Sequence, residues 1–236
     1  MNQPIVDAGA AVTLVAGGPL RRLELRRALK RAPVLVAADG GADRALALGV
    51  EPAAVVGDLD SISDAARTRL GAARLHAVAE QETTDFDKAL LALRGAGARL
   101  VLAPGCLGGR ADHGLAVLSG LMRHQAAGGA PVLLMGPEDV ILAAPPRLDL
   151  HLRPGDRLSL YPLTEVTGRS VGLEWPIDGL TLSPMGRIGT SNRVSAARVR
   201  LDFDRPGVLV ILPAARLDAA IRALTRPAVQ APFRAR

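Results

Sequence analysis

Two aspartates stand one residue apart in Gly57-Asp58-Leu59-Asp60-Ser61, directly after an apolar run over residues 53–56. An apolar run that reaches a glycine and then delivers two carboxylates suits a buried strand with the acids at its C-terminal rim. That rim is where open α/β sheets bind their ligands. Two acids there can hold a divalent ion, and a hard ion such as Mg²⁺ is commonly bound by one or two carboxylates together with substrate phosphates. The same residues also suit an ordinary strand-to-helix loop, with Asp60 or Ser61 capping a helix that runs to Leu70.

Three further polar loops bear on that choice. Asp39-Gly40-Gly41, Thr84-Asp85 and Gly109-Arg110-Ala111-Asp112-His113 each follow an aliphatic run. Parallel strands end on one side of their sheet, so all four loops are expected to meet at one crevice. There Asp58, Asp60 and Asp85 can bind Mg²⁺. Gly108 and Gly109 let a backbone approach phosphate oxygens, and Arg110 offers a bidentate fork. Each loop keeps a plainer alternative: Gly40 and Gly41 can serve only a turn, Thr84 or Asp85 can cap the next helix, and His113 can be structural. Neither a P-loop nor a dinucleotide glycine fingerprint is present, which leaves a nucleotide-dependent transferase of another type.

The elements that must position these loops alternate strand and helix, the pattern of βαβ units. Strands are expected over residues 12–16, 34–38, 53–56, 74–78, 100–103 and 132–135, with helices over 20–31, 44–48, 63–70, 86–94 and 114–126. After Pro145-Pro146 the rhythm changes to short alternating runs over 148–152, 158–160 and 194–201, separated by turn residues. The expected fold is therefore α/β: a Rossmann-like, mainly parallel sheet with flanking helices over residues 1–145, followed by an all-β sandwich over 146–236. Residues 214–224 have helical spacing, and 226–236 read as a loose basic tail.

At 236 residues, 49% hydrophobic and 22% charged, the chain is long enough to bury a large core. No apolar run approaches the length needed to cross a bilayer, and the first residues lack the basic and apolar regions of a secretory signal, so a cytoplasmic protein is expected. Cys106 is the only cysteine, which excludes an internal disulfide and suits buried filler. The net charge of +6 comes from scattered arginines, with lysine only at positions 30 and 88 and 2% aromatic residues. That composition offers almost no stacking platform and speaks against a nucleic-acid partner.

The ordered set Asp39-Gly40-Gly41, Gly57-Asp58-Leu59-Asp60-Ser61, Thr84-Asp85-Phe86 and Gly108-Gly109-Arg110-Ala111-Asp112-His113 resembles the thiamine pyrophosphokinase family. The likeness continues in Gly172-Leu173-Glu174-Trp175 and Thr190-Ser191-Asn192, and it spans about residues 12–212. The resemblance implies a homodimer that transfers the β,γ-pyrophosphoryl group of ATP to the thiamine hydroxyl and releases AMP, with its thiamine site shared between subunits. It implies metal ligation by Asp58, Asp60 and Asp85. Asp39, Gly40, Gly41, Gln81, Thr84, Arg110 and His113 are expected to line the nucleotide site. Trp175, Ser191 and Asn192 are expected to bind thiamine, and Arg110, Asp112 and His113 to stand near the reacting groups. Asp112 and Asp85 are both candidates to accept the hydroxyl proton.

The chain departs from the family pattern at Glu80 and Glu82, which stand where aspartates are usual, and at Val117, where an asparagine is common. An enzyme of the same architecture acting on a hydroxymethyl-dihydropterin, and a regulatory protein that binds nucleotide or thiamine without turnover, are the competing assignments.

Overall fold

In the computed structural model, which describes residues 5–225, runs of Val, Leu and Ala buried along their whole length form central strands of the first unit. Burial on both faces is what a parallel sheet covered by helices demands. The chain divides into two units, Met1–Ala143 and Ala144–Arg236. The first contains β1 (Ala11–Val15), α1 (Arg22–Leu29), β2 (Val34–Ala38), α2 (Gly41–Ala47), β3 (Ala54–Gly57) and α3 (Asp64–Leu70). It continues with β4 (Leu75–Ala77), α4 (Asp85–Gly95), β5 (Leu100–Pro104), α5 (Ala111–Ala126), β6 (Val132–Met135) and β7 (Asp139–Ala143).

Within this unit the strand order is β7-β6-β5-β1-β2-β3-β4. Strands β1 to β6 are parallel to their neighbours, while β7 pairs antiparallel with β6 and makes the sheet mixed. The direction of winding reverses between β1 and β5, so the ends of these strands mark the topological switch point. Close backbone approach there depends on glycine. The Gly18 amide donates to the Gly105 carbonyl at 2.9 Å, and a Cβ on Gly18 would lie 2.7 Å from that oxygen. Gly41 opens α2 directly against β1, where a Cβ would stand 2.2 Å from the Val15 carbonyl oxygen.

The starts of α3 and α4 follow capping chemistry. Thr84 caps α4 in a reciprocal box, its Oγ1 accepting from the Asp87 amide at 3.3 Å while Asp87 Oδ2 accepts from the Thr84 amide at 3.3 Å. Such a cap contributes about 1 kcal/mol. For α3 the cap is Ser63, which rules out the alternative of Asp60 or Ser61 as its cap; its Oγ accepts from the Ala66 amide at 3.2 Å. The reason is tertiary: Asp43 of α2 accepts the Ser63 amide at 3.0 Å and its hydroxyl as well, which fixes Ser63 at the helix entry.

The second unit contains β8 (Arg147–His151), β9 (Arg157–Pro162), β10 (Val166–Val171), β11 (Thr181–Leu182), β12 (Gly189–Arg193), β13 (Arg198–Phe203), β14 (Val208–Pro213) and α6 (Leu217–Thr225). Strands β11-β10-β13-β8 form an antiparallel sheet, and β12-β9-β14 pair antiparallel. Alternation buries Leu148, Leu150, Leu158, Leu160, Val199, Leu201 and Phe203, the period of strands with one face inward. Helix α6 packs on β8 through a face that buries Leu217 and Ala220.

Several boundaries differ from the sequence expectation. The run over 194–201 is not one strand: β12 stops at Arg193, and the chain turns through Ser195, whose amide donates to the Gly172 carbonyl at 2.9 Å, before β13 begins. Helix α2 starts at Gly41, three residues before the expected 44, and β7 had no counterpart in the expected elements. The expected basic tail over 226–236 lies outside the described residues.

Gly41→Ala should destabilise the protein by about 2 kcal/mol, because the added methyl group overpacks against backbone. Urea unfolding reads the effect as a lower midpoint, and an unchanged midpoint would show that α2 moves off β1 freely.

Candidate active site

The two aspartates after β3 are aimed by an unusual backbone. Leu59, between them, has φ 66°, and Asp39, after β2, has φ 41°. Non-glycine residues in the left-handed region carry a penalty of about 1 kcal/mol or more, so surrounding structure must enforce it. At Leu59 the enforcement is visible. Its side chain is buried in a cluster with Ala37, Ala42, Val55, Ile62, Ala66 and Leu70. Arg67 of α3 donates to the carbonyls of Leu59 and Ile62. With Leu59 anchored inward, oxygens of Asp58 and Asp60 lie with one of Asp39 all within 4.8 Å of one another.

Asp39 is 2% exposed. Its Oδ2 accepts the Ser61 amide at 3.0 Å, which ties the β2 loop to the β3 loop, but its buried Oδ1 has no hydrogen-bond partner. Burial, reinforced by the charges of Asp85 and Asp58, raises the Asp39 carboxyl above its ordinary pKa despite the Ser61 bonds. Gly57 makes room for this crowding: a Cβ there would fall 2.9 Å from both Asp39 Cβ and Asp85 Oδ1, and its φ is 158°.

Lys88 enters the same cluster from α4. Its side chain is 2% exposed, and Nζ lies 3.0 Å from Asp58 Oδ2 and 3.4 Å from Asp85 Oδ1. Asp85 Oδ1 also accepts the Asp58 amide at 3.4 Å, and Gln81 donates to Asp58 Oδ2 at 3.3 Å. The Lys88 bond holds the Asp58 carboxyl below the ordinary range in spite of burial. Burial works against the Lys88 ammonium, yet its two carboxylate partners leave its pKa raised.

The loop after β5 packs on the loop after β1, where a Cβ on Gly109 would meet Gly18 Cα at 3.8 Å and Pro19 Cδ at 3.6 Å. Arg110 is exposed and forks onto Asp112, with Nε to Oδ1 at 3.2 Å and Nη2 to Oδ2 at 2.6 Å. That fork lowers the Asp112 carboxyl to about 2. Exposed His113 lies in the first turn of α5 and donates its amide to Asp112 Oδ1 at 3.0 Å. Glu80 turns into its own loop, accepting the amides of Glu82 at 2.9 Å and Thr83 at 3.1 Å and the Thr83 hydroxyl. Val117 is buried in the core, so its position on α5 faces inward. Cys106 is buried, and that burial pushes its thiol up to about 12, which suits filler and not a nucleophile.

In the second unit, Trp175 is 52% exposed and so is not a core residue. Buried Asn192 locks its backbone: Asn192 Nδ2 donates to the Trp175 carbonyl at 2.7 Å, and Oδ1 accepts the Trp175 amide at 3.3 Å and the Arg193 amide at 2.8 Å. Ser191 sits at φ 60° and donates its amide to Ser159 Oγ at 3.0 Å. The Arg193 guanidinium lies 5.8 Å from the indole centroid, a cation–π distance.

Sequence reasoning passed over Lys88, Arg67 and Arg193. Lys88 left one signal, since it follows Asp85 by three residues on a helix, a spacing that puts both on one face. The residues present fit a hard divalent ion. All the charged donors are carboxylate oxygens, and the buried Asp39 Oδ1 lacks the positive partner that a buried anion requires.

Comparison with known proteins adds a lineage to this geometry. The family model for the thiamin pyrophosphokinase catalytic domain matches residues 25–132, a span that holds every first-unit site residue and ends before the second unit. Thiamine pyrophosphokinase 1 of Arabidopsis thaliana is 27% identical over 206 residues, covering 74% of this chain and 76% of that protein. Thiamin pyrophosphokinase from Candida albicans superposes with a TM-score of 0.74 at 16% identity, covering 90% of this chain and 95% of the other. The Bacillus subtilis enzyme of that name superposes at 0.70 with 24% identity, covering 86% and 97%. At such identities the two superpositions speak to fold.

Asp39→Asn should raise the melting temperature of the protein in EDTA by a few degrees, since about 1 kcal/mol of penalty for an unpaired buried charge disappears. Because the folded state holds the Asp39 proton more tightly than the unfolded state, the parent loses stability as pH rises through and above the ordinary carboxyl range. The advantage of the variant should therefore vanish at acid pH. A gain that persists at acid pH would trace it to another cause.

Proposed function

We propose that this chain, which belongs to the thiamin pyrophosphokinase family, transfers the β,γ-pyrophosphoryl group of ATP to the hydroxyl of thiamine, giving thiamine diphosphate and AMP. The observation that carries the proposal is the Asp39, Asp58 and Asp60 cluster, with its partnerless buried oxygen, at the C-terminal ends of the parallel strands β2 and β3. In this reading the first unit is the Rossmann-like nucleotide and metal domain, and the second is a sandwich that receives thiamine.

The thiamine oxygen must form a bond to the β-phosphorus while the bond from that phosphorus to the α,β-bridging oxygen breaks and AMP leaves. Such a transfer depends on charge neutralisation and positioning more than on covalent help from protein. Asp58, Asp60 and Asp85 would hold Mg²⁺ with Asp39 as a further oxygen donor, and Lys88 lies against both Asp58 and Asp85. When bound, the ion supplies positive charge to phosphate oxygens. Arg110 is exposed and free to exchange Asp112 for a polyphosphate, which is bidentate recognition of the same kind. While paired, Asp112 is too weakly basic to take a proton. Once Arg110 leaves it, Asp112 becomes the better acceptor for the hydroxyl proton, because Asp85 remains tied to Lys88. Gln81 orients Asp58, and Thr84 holds the start of α4 so that Asp85 keeps its place.

Trp175 would receive the cationic thiazolium and flat pyrimidine on the face that Arg193 does not cover. Asn192 and Ser191 contribute by fixing the backbone beneath the indole. A homodimer and a cytoplasmic location belong to the same proposal. Among the described residues no helix is long and apolar enough to cross a membrane.

Purified protein supplied with ATP, Mg²⁺ and thiamine should form thiamine diphosphate and AMP. Release of ADP, or consumption of a pterin alcohol without turnover of thiamine, would overturn the assignment. Asp60→Asn should lower turnover by about a hundredfold with an unchanged melting temperature, as expected for a rim charge that acts on the reaction. Trp175→Ala should raise the thiamine KM about tenfold and leave that of ATP alone. Equal KM values in parent and variant would remove Trp175 from the site.

A further inference from the structure

Asp87 follows Asp85 by two residues on α4, about 200° further round the helix axis, so the two carboxylates leave the helix on opposite sides. Asp87 Oδ2 accepts the Thr84 amide at 3.3 Å and the Thr84 hydroxyl at 2.7 Å. From α5, Arg123 Nη2 donates to Asp87 Oδ1 at 2.9 Å and to Oδ2 at 3.0 Å. Helix α5 also gives way to the same carboxylate: a Cβ on Gly120 would stand 2.6 Å from Asp87 Oδ1 and 3.4 Å from Phe86 Cδ1. Glycine is a poor helix former, yet Gly120 is buried inside this 16-residue helix. The close approach of Asp87 accounts for it, and Arg123 follows three residues later on the same face. The Asp87 side chain is 13% exposed and that of Arg123 60%. An ion pair with so open a partner contributes little to stability; what it can do is fix a position.

We propose that Asp87 and Arg123 are positioning residues through which α5 sets the start of α4 and, with it, Asp85. Thr84 is the cap and Asp87 the third residue of the first turn, so holding both fixes the backbone between them, which carries Asp85. The Asp85 carboxylate is thereby delivered to the Asp58 amide and to Lys88 Nζ, each 3.4 Å from Oδ1. Helix α5 begins at Ala111, directly after Arg110. One helix therefore follows the arginine proposed for polyphosphate and, further along, braces an acid proposed for the metal. The inference rests on the reading of Asp85 as a metal ligand and not on the identity of the acceptor.

The test uses the full chain without ATP or thiamine, reading amide exchange peptide by peptide and Mg²⁺ affinity by calorimetric titration with Mg²⁺ alone. Arg123→Met should speed exchange in the first turn of α4 about fivefold, leave β1 and β5 unchanged, and weaken Mg²⁺ binding about threefold. Gly120→Ala should shift both readings in the same direction by wedging the two helices apart. Arg123→Lys should stay within about twofold of the parent, because a single nitrogen makes both contacts and an ammonium can take its place. Once Asp87→Ala is present, adding Arg123→Met should move neither reading further. Equal Mg²⁺ affinity in parent and Arg123→Met overturns the proposal, whether or not exchange rises, and so does exchange that quickens throughout the protein. A parent that takes up no Mg²⁺ overturns the metal reading itself, an outcome distinct from a parent that binds the ion and a variant that binds it equally well.

Discussion

The hydrogen bond from the Ser61 amide to Asp39 Oδ2 is the constraint on which the site depends, because it makes two loops from neighbouring strands into one surface. The Asp39 amide donates back to the Val56 carbonyl at 3.0 Å, so the junction is tied at both ends of the residue. The sheet brings β2 and β3 together by register, and this pair of bonds carries that register beyond the strand ends. Left-handed backbone at Asp39 and Leu59 is tolerated because the same junction, the Leu59 cluster and Arg67 all require it. Local strain and local function thus share one cause, the need to present several like charges close together on a rigid edge.

Electrostatics divides the acids by what surrounds them. Asp58 is held ionised by Lys88, whereas Asp39 is pressed toward its neutral form by burial. Asp112 belongs to a separate exposed pair with Arg110. Placing acids with different proton affinities side by side is how a site can bind a cation at one point and receive a proton at another. The fold supplies the difference without altering residue type.

Much of this was legible in the sequence for a physical reason. Aliphatic runs buried on both faces announce parallel strands, and the loops at their ends carry acids and glycines that no core requires. What could not be read depended on partners distant in sequence. Ser63 displaces Asp60 and Ser61 as a helix cap because Asp43, twenty residues earlier, holds it. The reversal of the chain between β12 and β13 depends on the Gly172 carbonyl. A lysine on an amphipathic helix is usually solvated, so the burial of Lys88 between two loops was hidden until those loops were placed. The resemblance points to Asn192 as a thiamine-binding residue, and what its sequence position does not show is that its side chain bonds the backbone of Trp175.

The indole of Trp175 has one more consequence. It is the sole tryptophan of the chain, half exposed and with a guanidinium against one face. Emission excited selectively from indole therefore originates in the second unit alone. The chain carries a built-in optical label whose colour and quenching follow the solvation of that one ring.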